Sequence, residues 1–284
     1  MSRRLIVTAD DFGRAVPINE AVEDAHRNGI LTAASLMMGQ AATADAIERA
    51  RRLPTLAVGL HLTLVDGAPL LPTLEVSDLL AADGRLTRRL VDLGTRLYLS
   101  PRIRRQAAAE MRAQFEAFRA TGLPLAHVDS HHHYHLHPTV FDLLLPLAVE
   151  FGAPAIRIPW EPPRPGSIGS LVNGLFHLRR VLRMRRQMAK AGLIGNDRVF
   201  GIIDSGAMDA NCLSQRVDDL PEGLSELYTH PATRGWDEHP LPPTYRSTEE
   251  YAALIDPAIA EKIRQAGITL TTFPQEAARR RRRG

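Results

Sequence analysis

Leu5-Ile6-Val7-Thr8-Ala9-Asp10-Asp11-Phe12-Gly13 is a short apolar run that breaks into two carboxylates and a glycine. The run has the length and β-branched content of a buried strand, and the amphipathic pattern over 18–27 reads as a helix. A strand, chemical residues at its end and then a helix make the repeat unit of a parallel β/α fold. The unit recurs along the chain. Strands are expected at 4–8, 33–37, 57–61, 125–128, 155–158, 199–202, 224–228 and 268–270, with helices at 18–27, 44–52, 102–120, 139–151, 170–191, 213–218 and 248–265. This alternation predicts an α/β fold, a parallel sheet curled into a distorted, TIM-like β/α barrel. No linker, repeat or low-complexity break divides the chain. Residues 1–275 are therefore expected to form one barrel domain, followed by a basic tail at 276–284.

In such a barrel all strand C-termini meet at one mouth, so chemical residues far apart in sequence converge there. Asp10 and Asp11 end the first predicted strand, His61 the third, and Asp129-Ser130-His131-His132-His133-Tyr134-His135-Leu136-His137-Pro138 follows the fourth. Arg157 closes the next, and His230-Pro231 follows the strand at 224–228. In an extended segment His131, His133, His135 and His137 would leave the same side of the chain. Four imidazoles on one face are hard to explain by packing, and the alternative is a histidine-rich solvated loop. Neighbouring residues in a strand face opposite ways, so Asp10 and Asp11 reach one pocket only if the backbone bends, which Gly13 permits. Their roles should then differ, one on a metal and one on a proton; the bland alternative is a helix N-cap beside a solvated neighbour. His61 alone would read as a hydrogen-bonded core residue. With Asp11 and the histidine run it becomes the third member of an Asp/His/His metal site that leaves positions free for water and substrate.

At 284 residues, 44% hydrophobic and 24% charged, the chain is an ordinary globular protein with room for a full core. A single cysteine, Cys212, excludes an intramolecular disulfide and a multi-thiolate zinc site and suggests a reducing compartment. The apolar run at the N-terminus stops at Asp10, too early for a signal peptide, and no stretch reaches the length of a membrane span. The expected location is the cytoplasm. Net charge is only +3, with arginines gathered in 179–190 and 279–283, and aromatics at 5% without a nucleic-acid motif argue against a specific nucleic-acid binder.

Taken together, Thr8-Ala9-Asp10-Asp11-Phe12-Gly13, Gly59-Leu60-His61-Leu62-Thr63, Asp129-Ser130-His131-His132-His133-Tyr134-His135 and Tyr228-Thr229-His230-Pro231 resemble the YdjC-like carbohydrate deacetylases across almost the whole chain. Within that family Gly29-Ile30-Leu31-Thr32-Ala33-Ala34-Ser35-Leu36-Met37, Gln114-Phe115-Glu116-Ala117-Phe118-Arg119-Ala120-Thr121-Gly122 and Ile203-Asp204-Ser205-Gly206-Ala207-Met208 are most similar to the hopanoid biosynthesis-associated branch. The resemblance implies a barrel of the deacetylase/glycoside hydrolase type and N-deacetylation of acetylated amino sugars. It implies one divalent metal, magnesium or zinc, on Asp11, His61 and His131, with Asp10 as general base, His230 as general acid and Arg157 steering the base. Asp129, His133 and His135 are expected to orient ligands or contact substrate.

The branch further implies a lipid-linked substrate, the N-acetylglucosaminyl headgroup of a hopanoid; soluble chitooligosaccharides are the alternative. The predicted helix from Ser170 to Ala191 carries Leu171, Leu175, Leu178 and Leu182 on one face and Arg179, Arg183, Arg186 and Lys190 on another. It reads either as a peripheral contact with the inner face of the membrane or as a barrel helix with a solvated basic side. A homo-oligomer is left open. A metal-dependent phosphoesterase would use the same Asp/His/His centre but wants more metals and a cationic clamp. A glycosidase is disfavoured because adjacent carboxylates rarely flank a scissile bond.

Overall fold

The computed structural model describes residues 2–163 and 168–282, with side chains described outside 168–177. Among the described residues seven strands form one sheet: β1 (Arg3–Phe12), β2 (Ala33–Leu36), β3 (Ala57–Leu62), β4 (Val128–Ser130), β5 (Arg198–Phe200), β6 (Gly223–Thr229) and β7 (Thr269–Leu270). All pairings are parallel, in the order β4-β3-β2-β1-β6-β5, with β7 against the start of β1. The two open edges are joined by the irregular segment 155–160. Val128 N donates to Ala155 O and Arg157 N to Val128 O, both at 3.0 Å, on one side. On the other, Ile156 N reaches Ile194 O at 3.1 Å and Val199 N reaches Trp160 O at 3.0 Å. The sheet therefore closes into a distorted barrel. The strand expected at 155–158 is a set of single bridges, because the chain beside it is broken by Pro154 and Pro159, which cannot donate to a ladder.

The helices are α1 (Val16–Asn28), α2 (Thr43–Arg51), α3 (Leu90–Leu99), α4 (Pro101–Ala120), α5 (Pro138–Glu150), α6 (Ile168–Lys190), α7 (Ala210–Asp218), α8 (Ser247–Leu254), α9 (Pro257–Gln265) and α10 (Phe273–Arg281). The single helix expected at 248–265 is two, since Pro257 opens α9 and the Asp256 side chain caps it by accepting from Ala258 N. The unexpected α3 buries only Leu93, Gly94 and Leu97 and leaves Val91, Tyr98 and Leu99 exposed, so its apolar stripe is blurred in sequence. Residues 276–281 lie in α10, which opens on a Thr272/Gln275 capping box and buries Glu276 and Ala277.

α6 turns a different face inward from the one expected. Val181, Met184 and Met188 are buried while Leu182 is exposed. Arg183 lies 2.8 Å from Asp142, and the side chains of Leu171 and Leu175 are outside the described residues.

Period-two alternation places the chemistry. The outward residues Leu5, Val7 and Ala9 of β1 join the core under the helices. The inward set begins at the bottom of the barrel with Ile6, Ala33, Ala155, Leu224 and Phe273. One step up stand Thr8, Ser35, Gly59, His127 and Glu226; above them come Asp10, His61, Asp129, Arg157 and Tyr228. The barrel interior thus grades from apolar to ionic toward the C-terminal mouth. Gly59 has to be glycine for reasons of space, because a Cβ there would lie 2.4–2.5 Å from the His127 ring. Gly59→Ala is expected to lower stability by about 1–3 kcal/mol through overpacking, measured as a reduced denaturant midpoint at unchanged m-value.

Candidate active site

A cavity of about 210 Å³ opens at the C-terminal end of the strands, lined by Asp10, Asp11, His61, His131, Tyr228 and His230 among others. A larger one, about 1090 Å³, lies at the opposite end of the barrel, but apart from Arg51, Arg280 and Arg281 its lining is uncharged, with no acid or histidine. The chemistry is in the smaller.

By alternation Asp11 should point away from the barrel. Instead the backbone turns at Asp11 itself, whose φ is +61°, and the β1–β2 register shifts between Ala9 and Phe12. The turn is tied by Arg14 N on Asp11 O at 3.0 Å and by Gly13 N on Asn19 Oδ1 at 2.8 Å. Gly13, at φ +95°, passes so close to β2 that a Cβ would stand 3.0 Å from Met37 O. Both carboxylates therefore face one pocket. Neither caps α1, whose N-cap is Ala15.

Asp11 Oδ1 lies 2.9 Å from His131 Nδ1 and 3.5 Å from His61 Nε2. Asp11 is fully buried, yet neither carboxylate oxygen has a partner in hydrogen-bonding geometry. Buried polar atoms are rarely left so, and one ligand atom from each of Asp11, His61 and His131 lies within 4.8 Å of the others. These donors fit a divalent cation. On the far side of the His61 ring, Nδ1 sits 2.8 Å from Asp129 Oδ1, which fixes Nδ1 as the donor and leaves Nε2 toward Asp11. The site is electronegative: burial works against charging His61, but Asp129 and Asp10 overcome it and push the imidazole up to about 10. Burial alone would raise the Asp11 carboxyl, and His131 instead draws it well below its usual range.

Under this trio lies the fully buried Arg157. Its guanidinium grips Asp10 with both arms, at 2.7 and 2.8 Å, and also meets Asp129 Oδ2 at 2.7 Å and Glu226 Oε1 at 2.9 Å. Thr8 Oγ1 donates to the same Glu226 oxygen at 2.8 Å, and Ser35 Oγ donates to Asp129 at 2.8 Å. Asp129 thus joins His61 to Arg157. His230 enters from the end of β6, with its backbone N on Glu250 and its ring 5.0 Å from that of Tyr245; burial pulls the imidazole down to about 4.

The histidine run is not extended. Residues His131–Leu136 form a 3₁₀ turn in which His132 and His133 take left-handed φ values of 55° and 51°, so the expected common face does not exist. His131 and His133 line the cavity, and the His133 ring stands edge-on to Tyr228. His135 is buried behind them. Its Nε2 is 2.9 Å from Arg157 O, an acceptor, so Nδ1 must accept from Ser130 Oγ at 2.6 Å. His137 points elsewhere, against Tyr98 and Tyr134. Several residues were missed in sequence: of the cavity lining, Arg14, Asp66 and Tyr245 lie outside the strands, while Tyr228, and Glu226 on Arg157, fall on the inward alternation of β6. That alternation was the available signal.

The sequence profile of the YdjC-like protein family matches residues 4–265. This chain is a member of the YdjC-like family. A carbohydrate deacetylase of Geobacillus stearothermophilus is 32% identical to this YdjC-like chain over 278 residues, covering 96% of it and 98% of the relative. A carbohydrate deacetylase of Brevibacillus brevis is 40% identical over 157 residues, a match that covers 55% of the chain and 60% of the relative. A crystal structure of an Enterococcus faecalis protein, described as a putative cellobiose-phosphate cleavage protein, shares the fold with a TM-score of 0.74 at 23% identity, covering 97% of this chain and 99% of that one. Among the described residues no helix is long and apolar enough to cross a membrane.

Proposed function

We propose that this YdjC-like protein is a metal-dependent carbohydrate N-deacetylase that hydrolyses the acetamido group of an acetylated amino sugar. The observation that carries the reading is Asp11: a buried carboxylate with no partner in hydrogen-bonding geometry, within reach of two imidazoles and 3.5 Å from Arg14, one residue from an Asp10 whose two oxygens Arg157 holds. Asp11, His61 and His131 would hold one magnesium or zinc ion. Bound there, the cation supplies Lewis acidity to the acetamide carbonyl and to water. Asp10 takes a proton from the attacking water as the new C–O bond forms. Arg157 fixes the aim of that carboxylate. His230 delivers a proton to the nitrogen as the C–N bond breaks, since an unprotonated amide nitrogen is a very poor leaving group. Burial keeps its resting imidazole neutral, so the proton it delivers is first taken up from solvent, favoured by the negative charge that builds beside it in the transition state. Acetate and a free amine leave.

The relatives described as carbohydrate deacetylases support the reaction class. Within it we place the N-acetylglucosaminyl headgroup of a hopanoid first, on the resemblance of the three segments given above, and soluble chitooligosaccharides second. Exposed Arg179, Arg186 and Lys190 on α6 suit a peripheral contact with anionic lipid at the cytoplasmic face. Flotation with anionic vesicles that is indifferent to their replacement would remove that contact. A phosphoesterase is less well supported, because Arg14 and Arg157, the arginines at the site, already face carboxylates.

Acetate release from an N-acetylglucosaminyl hopanoid, run beside N,N′-diacetylchitobiose with metal-loaded protein, tests the whole reading. Turnover of the lipid supports the first substrate, turnover of the disaccharide alone the second, and silence on both overturns the deacetylase. The metal site has its own readout. Asp129→Asn, which weakens the hold on His61 without removing a proposed ligand, is expected to reduce zinc affinity about 10–100-fold in chelator competition.

A further inference from the structure

The strand that delivers His230 runs out of partners before reaching it. β5 pairs with β6 as far as Leu227 and β1 as far as Thr229, after which β1 turns at Asp11. The backbone N–H of His230 therefore lies beyond both ladders, in a residue that is buried and whose donor has to be met some other way. Glu250, in the first turn of α8, meets it. Its Oε2 accepts from His230 N at 2.5 Å, and its Oε1 accepts at 2.9 Å from the N of Met208, in the loop between β5 and α7. Glu250 is fully buried, and burial lifts its carboxyl to about 7 against the pull of these two N–H groups. One side chain thus joins the end of β6, the β5–α7 loop and the start of α8.

The His230 ring has no such fastening. Its Nδ1 is buried without a hydrogen-bond partner among the described residues, and it packs edge-on to Tyr228, centroids 5.5 Å apart, and at 5.0 Å from Tyr245. His61 differs, since Asp129 holds its Nδ1 at 2.8 Å. We propose that Glu250 is a positioning residue for the general acid: by accepting from His230 and Met208 at once, it fixes the main chain from which the imidazole reaches into the cavity. The inference rests on the deacetylase reading, in which His230 protonates the leaving nitrogen, and adds a residue to it. A carboxylate suits the task because two donors converge on one side chain, one at each oxygen. Glutamine keeps the shape, but it accepts through one oxygen and turns its own amide N–H toward the other donor. Aspartate keeps both oxygens and the charge and is one methylene short of the two amides.

Glu250→Gln and Glu250→Asp, each alone and each combined with His230→Ala, test this in metal-loaded full-length protein. The probes are N,N′-diacetylchitobiose and an octyl glycoside of N-acetylglucosamine, read by acetate release. Either single substitution is expected to lower kcat about 10–100-fold, the scale on which misplacing a catalytic group by roughly 1 Å acts, with KM and bound metal unchanged. In the His230→Ala background the same substitutions should change kcat by no more than about 2-fold, because the group that Glu250 positions is gone. A purely structural role would instead lower the denaturant midpoint and leave kcat per folded molecule unchanged. Wild-type kcat in folded Glu250→Gln and Glu250→Asp overturns the proposal, as does an equal loss with and without His230. Wild type that releases acetate from neither probe overturns the deacetylase reading instead.

Discussion

Asp10→Asn is expected to lower kcat for acetate release by about 10²–10⁴-fold, the range that a positioned general base contributes. The substitution is nearly isosteric and leaves Asp11, His61 and His131 untouched, so bound metal should be retained. What it removes is the capacity to take a proton. It also sets one amide N–H against an Arg157 N–H, where the wild-type carboxylate accepts from both arms at 2.7 and 2.8 Å. A group that acts only in the transition state lowers kcat and kcat/KM together, whereas one that merely holds substrate raises KM. Metal content and kinetics measured on the same preparation therefore discriminate. Equal loss in kcat and kcat/KM at full metal occupancy supports the assignment. Loss confined to KM, or loss that follows metal, transfers the role to another group.

How much of this was readable in the sequence depends on whether a residue's direction is set by the strand or by a turn. Asp10, His61, Arg157 and His230 sit at the ends of strands or bridged segments, and β/α alternation was enough to send them to one mouth. Glu226 and Thr8 were equally within reach. They occupy the same inward alternation, at positions whose neighbours Leu227, Val7 and Ala9 face the helices, and a buried carboxylate there demands a cation. Arg157 is that cation.

Turns erased the rest. Asp11 enters the pocket only because its own φ is positive, and His132 and His133 convert an alternating run into a 3₁₀ turn that sends His131, His135 and His137 three ways. The first bend was anticipated from Gly13, though it falls at Asp11 itself, whereas nothing in the run marked the turn at His132 and His133, since an αL residue other than glycine costs energy. Tyr245 and Asp66 reach the cavity from loops, where no periodicity points a side chain. The bound on sequence reasoning here is therefore local backbone conformation.

Arg157→Met is expected to destabilise the protein by about 3–5 kcal/mol, the usual cost of breaking a buried ion pair from one side. The magnitude follows from what remains. Asp10, Asp129 and Glu226 would face each other around an apolar side chain, all buried, with the guanidinium that accepted their charge removed. Burial raises the Glu226 carboxyl, and Arg157 only partly offsets that. Adding Glu226→Gln to Arg157→Met should therefore recover part of the loss, and the two changes should couple by about 0.5–3 kcal/mol in a double-mutant cycle read by urea denaturation. Arg157→Lys separates charge from shape. It keeps the positive charge and so should cost less stability than methionine, but a single ammonium cannot reproduce the fork that aligns both Asp10 oxygens. Its activity should therefore fall much further than its stability. If Arg157→Lys lost stability as severely as Arg157→Met while retaining turnover, the guanidinium would be structural, and the aim of Asp10 would have to come from its backbone alone.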